Sequence, residues 1–229
     1  MAVIRFALLV AALLFASPGF AQSKNLAPGF SALPKGAKVV IMPTDIELFS
    51  ISGGGVLEPK ADWTEAAARH FRTALDRKHQ ALGLDAATLS EDDADELAEL
   101  NALHAAVARA IAIHHFGALS LPTKDGRLDW SLGESVQAIR KASGADYALF
   151  SWVRDSYASD ERKAVMIGLA LLGVGITGGV QTGYASLVDL SNGRVLWFNQ
   201  LTRGWGDLRE ADKAAESLDA LLDKFPVTQ

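Results

Sequence analysis

Two apolar runs, far apart in the chain, constrain the fold most strongly. Residues 37–42 read AKVVIM and are stopped by Pro43, and residues 147–153 read YALFSWV. Short runs rich in β-branched and aromatic residues are typical of buried strands. Amphipathic helical patterns fill the stretch between the two runs, so helices are expected to pack on the sheet. The sequence therefore predicts an α/β (α+β) domain.

A hairpin near the C-terminus adds two more strands. Residues 183–190 and 195–201 are apolar runs joined through Ser191, Asn192 and Gly193. Asn-Gly between such runs indicates a tight turn, because both residues tolerate a positive φ. Residues 45–51 alternate polar with apolar, which suits a strand end or an edge strand. We expect a small mixed sheet of about four strands.

Four helices are predicted between and after the strands. Their apolar residues recur three and four positions apart, and two of the helices begin with acidic residues that suit a helix N-terminus. The predicted helices span residues 62–82, 90–116, 132–143 and 210–225. We expect them to pack mainly on one face of the sheet.

The first 21 residues have the form of a cleavable secretory signal. Arg5 supplies a positive charge, residues 6–15 are all apolar, and small residues stand at Gly19 and Ala21. An apolar run of ten is far shorter than the roughly 20 residues of a membrane-spanning helix. We expect residues 22–36 to form a flexible N-terminal arm and residues 37–229 a single domain.

Composition restricts the classes of function. The chain has no cysteine, which excludes disulfides, thiolate metal sites, cysteine nucleophiles and a lipidated cysteine. Without Arg5, 21 basic residues stand against 27 acidic ones, a net charge of −6. Nucleic-acid binders concentrate basic residues, so no nucleic-acid partner is expected. The predicted location is the periplasm, with an extracellular location as the alternative.

Residues 164–180, AVMIGLALLGVGITGGV, contain no charge and five glycines. The pattern favours a buried helix over residues 164–172 followed by a glycine-rich turn, since glycine weakens a helix. The alternative is an exposed apolar insertion used for contact with a protein or a membrane. Its candidate interface residues are Val165, Ile167, Leu169, Leu171, Leu172, Val174 and Ile176.

No pattern indicates a metal or cofactor site. His104 and His115 share a helix face but lie roughly 16 Å apart along the axis, too far for one metal ion. The acidic residues between 92 and 99 lack the glycine and spacing of a calcium loop. The glycines of residues 173–179 lack the strand-turn-helix context of a dinucleotide loop. We expect no cofactor.

Catalytic patterns are equally weak. Ser186 lies in a predicted strand outside any Gly-x-Ser-x-Gly turn and has no histidine near it in sequence. Asp45, Arg154 and Asp155 lie at predicted strand ends, where they could converge in a polar cleft. That cleft supports an alternative reading as a periplasmic hydrolase or small-ligand-binding protein. A charged pair at a sheet edge explains Arg154 and Asp155 more simply.

Several short segments carry a family resemblance. They are the strand entry 144–149 (GADYAL), the hairpin strand 185–190 (ASLVDL), and the turn Asn192-Gly193 with residues 195–197 (VLW) after it. Over about residues 37–222, the chain resembles the α/β domain of bacterial envelope proteins. These are the curli-secretion lipoprotein type, the penicillin-binding-protein activator lipoproteins, and the amino-terminal domain of the Tol propeller protein.

The resemblance implies assembly, scaffolding or contact with envelope machinery, and no catalytic residues. The chain departs from the lipoprotein members because it lacks their tethering cysteine. Residues 164–180 lie where the curli-secretion type inserts membrane hairpins, but they lack the alternation of a barrel strand. We expect an exported, non-enzymatic interaction or assembly factor, partnered by an envelope protein or a second copy of itself.

The signal prediction has a direct test. If residues 1–21 are cleaved on export, the mature chain recovered from the periplasm begins at Gln22. N-terminal sequencing or intact-mass measurement distinguishes this product from a chain that retains Arg5 and the apolar run. Retention would contradict the predicted location.

Overall fold

The computed structural model describes residues 23–82, 84–87, 89 and 91–227. The predicted signal, residues 1–21, lies outside the described residues. The strands are β1 Lys38–Ile41, β2 Asp45–Ile51, β3 Leu57–Pro59, β4 Asp85–Ala87, β5 Tyr147–Ala158, β6 Gln181–Asp189 and β7 Val195–Arg203. The helices are α1 Ala61–Ala81, α2 Glu91–Glu96, α3 Ala98–Ile111, α4 Gln137–Ser143, α5 Asp160–Ala170 and α6 Ala211–Leu221. A π-helical turn, Ala112–Phe116, extends α3.

The described strands form one mixed sheet around β5. On one side, β1 and then β2 run parallel to successive parts of β5, with Ile41 opposite Leu149 and Asp45 opposite Trp152. On the other side, β6 runs antiparallel to β5, and β7 to β6. β4 pairs parallel with β1, and β3 antiparallel with β2. This confirms the mixed α/β fold that the sequence predicts.

Helices cover both faces of the sheet, and not mainly one as expected. One core contains Phe71 of α1 and Leu218 of α6 with the buried ring of Trp197. The opposite core contains Ile111 of α3 and Ile139 of α4 with Phe150. The two cores follow from the pleat: neighbouring residues of β5 point to opposite faces, and most of them, on both faces, are buried. A strand buried on both faces needs helices on both.

The described residues form a seven-stranded sheet, larger than the expected one of about four strands, and two of its strands match no predicted strand. β3 and β4 are three residues each, too short to show a period of two, and β3 contains Pro59. Both lie at the sheet margin outside the pairing with β5. The four predicted helical regions are all present, although Leu132 lies outside the helix that was predicted to begin there.

Part of the segment predicted as a flexible arm packs against the domain. The backbone N–H of Ala27 donates to the carbonyl of Leu196 at 2.8 Å, and the N–H of Phe198 donates to the carbonyl of Asn25 at 3.0 Å. Ala27 and Leu33 are buried. These contacts occupy the outer edge of β7, whose backbone groups would otherwise have no strand partner.

The β6–β7 turn is closed by a glycine, as the Asn-Gly signal predicts. Gly193 has φ +74° and its carbonyl accepts from the N–H of Leu132 at 2.8 Å. A Cβ atom at this position would lie 2.1 Å from the carbonyl oxygen of Gly133. The turn therefore requires glycine for two reasons, the left-handed backbone and the close approach of a second chain segment.

We expect Gly193→Ala to lower the free energy of unfolding by about 2 kcal/mol or more, since both the backbone strain and the clash must be relieved. Gly126→Ala is the matched control, because Gly126 has φ +65° but a Cβ atom added there would meet nothing within 4 Å. The control should cost only about 1 kcal/mol. Urea unfolding of both variants measures the difference, and equal losses would contradict the close-approach argument.

Candidate interaction surface

The register of the sheet brings three connections to one end, which we call the apical end. Ile51 at the end of β2 lies opposite Ala158 at the end of β5. Gln181 at the start of β6 lies opposite Arg203 at the end of β7. The β2–β3 turn, the chain between β5 and β6, and the loop after β7 therefore emerge together.

The chain between β5 and β6 forms the apical projection, residues 160–180. Ser159 caps α5: its Oγ accepts from the N–H of Arg162 at 3.1 Å. The charged residues 160–163 occupy the first turn, near the sheet, and residues 164–170 continue the helix. After the helix the chain turns back, with the N–H of Val174 donating to the carbonyl of Leu169 at 2.9 Å.

The apical projection is exposed. No residue of α5 is buried, and at the turn Leu171 and Leu172 are 84% and 78% exposed. Of the seven candidate interface residues, five are exposed, and Leu169 and Ile176 are partly buried. The buried helix favoured for residues 164–172 is therefore wrong. The helix that this run forms is apolar on all sides. The sequence of such a helix is the same whether it is buried in a core or exposed. An interface role for these seven residues stays a prediction.

Close backbone packing attaches the returning chain to β5. A Cβ atom on Gly179 would lie 2.0 Å from the carbonyl oxygen of Ser156, so only glycine fits there. The Ser156 hydroxyl donates to the carbonyl of Val180 at 3.2 Å and accepts from its N–H at 3.0 Å. The glycines at 173–179 thus serve a turn and a close approach, and β6 follows them instead of a helix.

Other apolar side chains at the apical end are exposed as well. Val56 and Leu57 lie at the β2–β3 turn, and Trp205, 70% exposed, lies in the loop after β7. Of the eleven large hydrophobic side chains exposed in the described part of the chain, nine lie at this end and only Ile113 and Leu119 lie elsewhere. Such clustering is typical of an interaction surface.

A buried polar network supports the base of the projection. The Asp155 carboxylate accepts from the Tyr157 hydroxyl and from Gln181 Nε2, both at 2.6 Å, and from the N–H of Ser156. Gln181 Oε1 accepts from Arg203 Nε at 2.9 Å. Burial raises the pKa of Asp155, although these hydrogen bonds oppose the shift. The network is saturated and buried, so it positions the strand ends without presenting a free base.

The predicted polar cleft is only partly assembled. Arg154 Nη1 lies 2.7 Å from Asp45 Oδ1, and its Nε lies 3.3 Å from Glu47 Oε2. The guanidinium covers the Trp152 ring at 4.6 Å. Asp155 points to the opposite face of the sheet, because neighbouring strand residues alternate. Asp45 and Arg154 form an ion pair, while Asp155 belongs to the network described above.

A serine–histidine pair lies in the second core. His104 Nε2 is 2.8 Å from Ser186 Oγ, and its ring stacks on Phe150 with centroids 4.8 Å apart. Sequence reasoning missed this pair because the residues lie in different elements. Both side chains are buried, so no substrate reaches the hydroxyl. Burial lowers the pKa of His104 to about 3, which keeps the ring neutral. The pair is a buried hydrogen bond of the core.

The other histidines that were considered as metal ligands also have structural contacts. His115 is buried, and its Nε2 lies 2.7 Å from the carbonyl oxygen of Lys24. His114 is partly buried and points elsewhere, its Nδ1 lying 2.7 Å from the carbonyl oxygen of Leu119. Across residues 23–227, apart from the few undescribed positions, no three histidine, aspartate or glutamate side chains cluster as metal ligands would.

No protein-family model matches the chain, and no curated protein does. Solved structures of similar fold include the PelC dodecamer from Paraburkholderia phytofirmans, 15% identical with a TM-score of 0.41, covering 87% of this chain and 94% of that chain. Lipoprotein GNA1162 from Neisseria meningitidis is 14% identical with a TM-score of 0.33, covering 82% of this chain and 96% of that chain.

The LpoB C-terminal domain from Salmonella enterica is also similar, at 13% identity and a TM-score of 0.29, covering 77% of this chain and 87% of that chain. LpoB belongs to the penicillin-binding-protein activator lipoproteins named in the sequence-based resemblance. Because these TM-scores are below 0.5, we draw nothing about function from them. Among the helices of the described residues, none has the length and hydropathy to cross a bilayer.

The buried histidine predicts a pH-dependent stability. In the unfolded chain the pKa of His104 returns to about 6.5, so only that state takes up a proton between pH 6.5 and about 3. The stabilising contribution of neutral His104 is complete above pH 6.5 and is lost as the pH falls through this window, by about 1.4 kcal/mol per pH unit. We expect His104→Gln to reduce this slope.

Urea unfolding at several pH values between 4 and 7 measures the slope for the wild type and the variant. His114→Gln is the matched control, because His114 lies in the π-helical turn that continues the same helix but is only partly buried. The control should keep the slope of the wild type. Equal slopes in the wild type and His104→Gln would contradict the neutral buried ring.

Proposed function

We propose that this chain is an exported cell-envelope protein that acts as a non-enzymatic interaction or assembly factor, with the apical projection as its contact surface. The observation that carries the proposal is the exposure of the charge-free run 164–180 at the end of an otherwise well-packed sheet. Leaving Leu171 and Leu172 in water is unfavourable, by about 25 cal/mol per Å² of apolar surface. A partner that covers them recovers this free energy.

The rest of the domain supports a scaffolding role. The polar groups that could have supplied chemistry are engaged: Asp155 in its saturated network, Arg154 with Asp45, and Ser186 with His104 in the core. The small cleft at the apical end, about 70 Å³, is lined by Asp155, Gly179 and Trp205. A cleft of that size suits a few water molecules better than a substrate.

The proposal predicts that removing the apolar tip releases the protein from its partner. The double variant Leu171→Ser, Leu172→Ser should leave the fold intact, since both side chains are exposed. We expect the wild type to be recovered with the envelope fraction or as a discrete larger assembly. The double variant should be recovered as a soluble monomer, with envelope retention reduced on the order of tenfold.

Fractionation of cells, followed by size-exclusion chromatography with light scattering, measures both properties. Leu119→Ser is the matched control, because Leu119 is 67% exposed but lies in the chain after α3. It should behave as the wild type. A wild type that is a soluble monomer, indistinguishable from the double variant, would overturn the proposal.

A further inference from the structure

We propose that the apical projection inserts into the surface of a lipid bilayer as a shallow wedge. This inference rests on the proposed function, in which the projection is the contact surface, and it names the partner as lipid. Three features of the apical end carry it: the distribution of apolar residues around α5, the length of the projection, and the residues that surround its base.

Apolar side chains surround the helix instead of forming one stripe. Along residues 164–170 every position is exposed or partly buried, and none carries a charge. A helix that docks on a protein groove is apolar on one face and polar on the other. Val165 and Ile167, two positions apart, point to nearly opposite sides of α5, and both are exposed. A medium that is apolar in all directions, as lipid is, covers both sides at once.

The length of the projection fits one leaflet. Residues 164–170 are seven helical positions, about 10 Å at 1.5 Å per residue. The tip, Leu171 and Leu172, therefore lies about 10 Å beyond the charged first turn. Interfacial helices bury their apolar residues about 5–10 Å into the boundary between headgroups and acyl chains, whereas the hydrocarbon core is about 30 Å thick. The projection is long enough to reach this boundary and too short to cross it.

The base carries the residues expected at headgroup level. Lys163 Nζ lies 2.9 Å from Asp160 Oδ1, and Arg162 Nη2 donates to the carbonyl of Thr177 at 3.4 Å. Trp205 lies beside the base, since it lines the same small cleft as Gly178 and Gly179. Tryptophan is enriched at the membrane–water interface, where its ring is partly apolar and its N–H is hydrated.

The charges at the base predict which lipids bind. Residues 160–163 are two acidic and two basic, Asp160, Glu161, Arg162 and Lys163, and so have no net charge. Apolar burial should then supply the affinity, and anionic lipid should add little. We expect the affinity for vesicles of phosphatidylcholine alone to lie within about twofold of the affinity for vesicles that contain phosphatidylglycerol. This should hold at both low and high salt.

The absence of cysteine makes a site-specific probe straightforward. Leu172→Cys introduces the sole thiol of the chain, which can carry an environment-sensitive nitrobenzoxadiazole fluorophore. We expect a blue shift and a several-fold rise in its emission when phosphatidylcholine vesicles are added to the mature protein. Lipids brominated near the glycerol end of the acyl chain should quench it more than lipids brominated near the methyl end. Leu119→Cys with the same fluorophore is the control and should not respond.

Vesicle flotation with unlabelled protein provides the second measurement. The double variant Leu171→Ser, Leu172→Ser should lower the bound fraction on the order of tenfold, and Leu119→Ser should leave it unchanged. Failure of the wild type to float overturns the membrane inference, as does equal flotation of the double variant. A concentration-dependent emission change at position 172 without vesicles also overturns it, because a second copy then covers the tip.

These outcomes separate the two proposals. If the wild type does not bind vesicles but loses its larger assembly when Leu171 and Leu172 are replaced, the partner is a protein and the proposed function stands. If neither vesicle binding nor assembly depends on these residues, both proposals fail.

Discussion

The pairing of β5 with strands on both of its sides is the constraint on which the rest of the structure depends. Its twelve residues hold β1 and then β2 along one side, and β6 along the other. Apolar side chains of β5 enter both cores, Leu149 and Val153 on one face and Ala148 and Phe150 on the other, so helices are required on both faces. Since β5 also sets the register of β2 and β6, it determines that the β2–β3 turn, the apical projection and Trp205 share one end of the molecule.

Apolar runs in the sequence were sufficient to predict the strands of the core and the hairpin, but they did not predict the residue at which β5 ends. The sequence predicts its end at Val153, because Arg154 and Asp155 are charged. In the structure the strand continues to Ala158, since Arg154 is paired with Asp45 and Asp155 accepts hydrogen bonds from Tyr157 and Gln181. The hydrogen-bond and ion-pair partners of a polar strand residue come from distant parts of the chain, so the local sequence pattern does not predict them.

The sequence identified the residues of the candidate surface, but it did not predict that they are exposed. Residues 164–180 stand out in sequence, yet an apolar run without a period fits a core and a projection equally well. The grouping of the polar candidates was unpredictable for a different reason. Strand alternation separates Arg154 from Asp155, which are adjacent in sequence, and the sheet brings together His104 and Ser186, which are distant. Both effects depend on register, and register is a property of the whole sheet.

The segment that covers β7 has a consequence for how molecules of this chain meet. Because the backbone of Asn25 and Ala27 pairs with the outer edge of β7 at Leu196 and Phe198, that part of the edge has no free ladder for a strand from another molecule. The opposite margin is formed by β3 and β4, which are three residues each, and β3 includes a proline. Growth of the sheet from copy to copy is thereby discouraged. Two copies that meet at the apical end therefore contact each other through side chains. Side-chain contacts dissociate more readily than paired strands, so such an association is reversible.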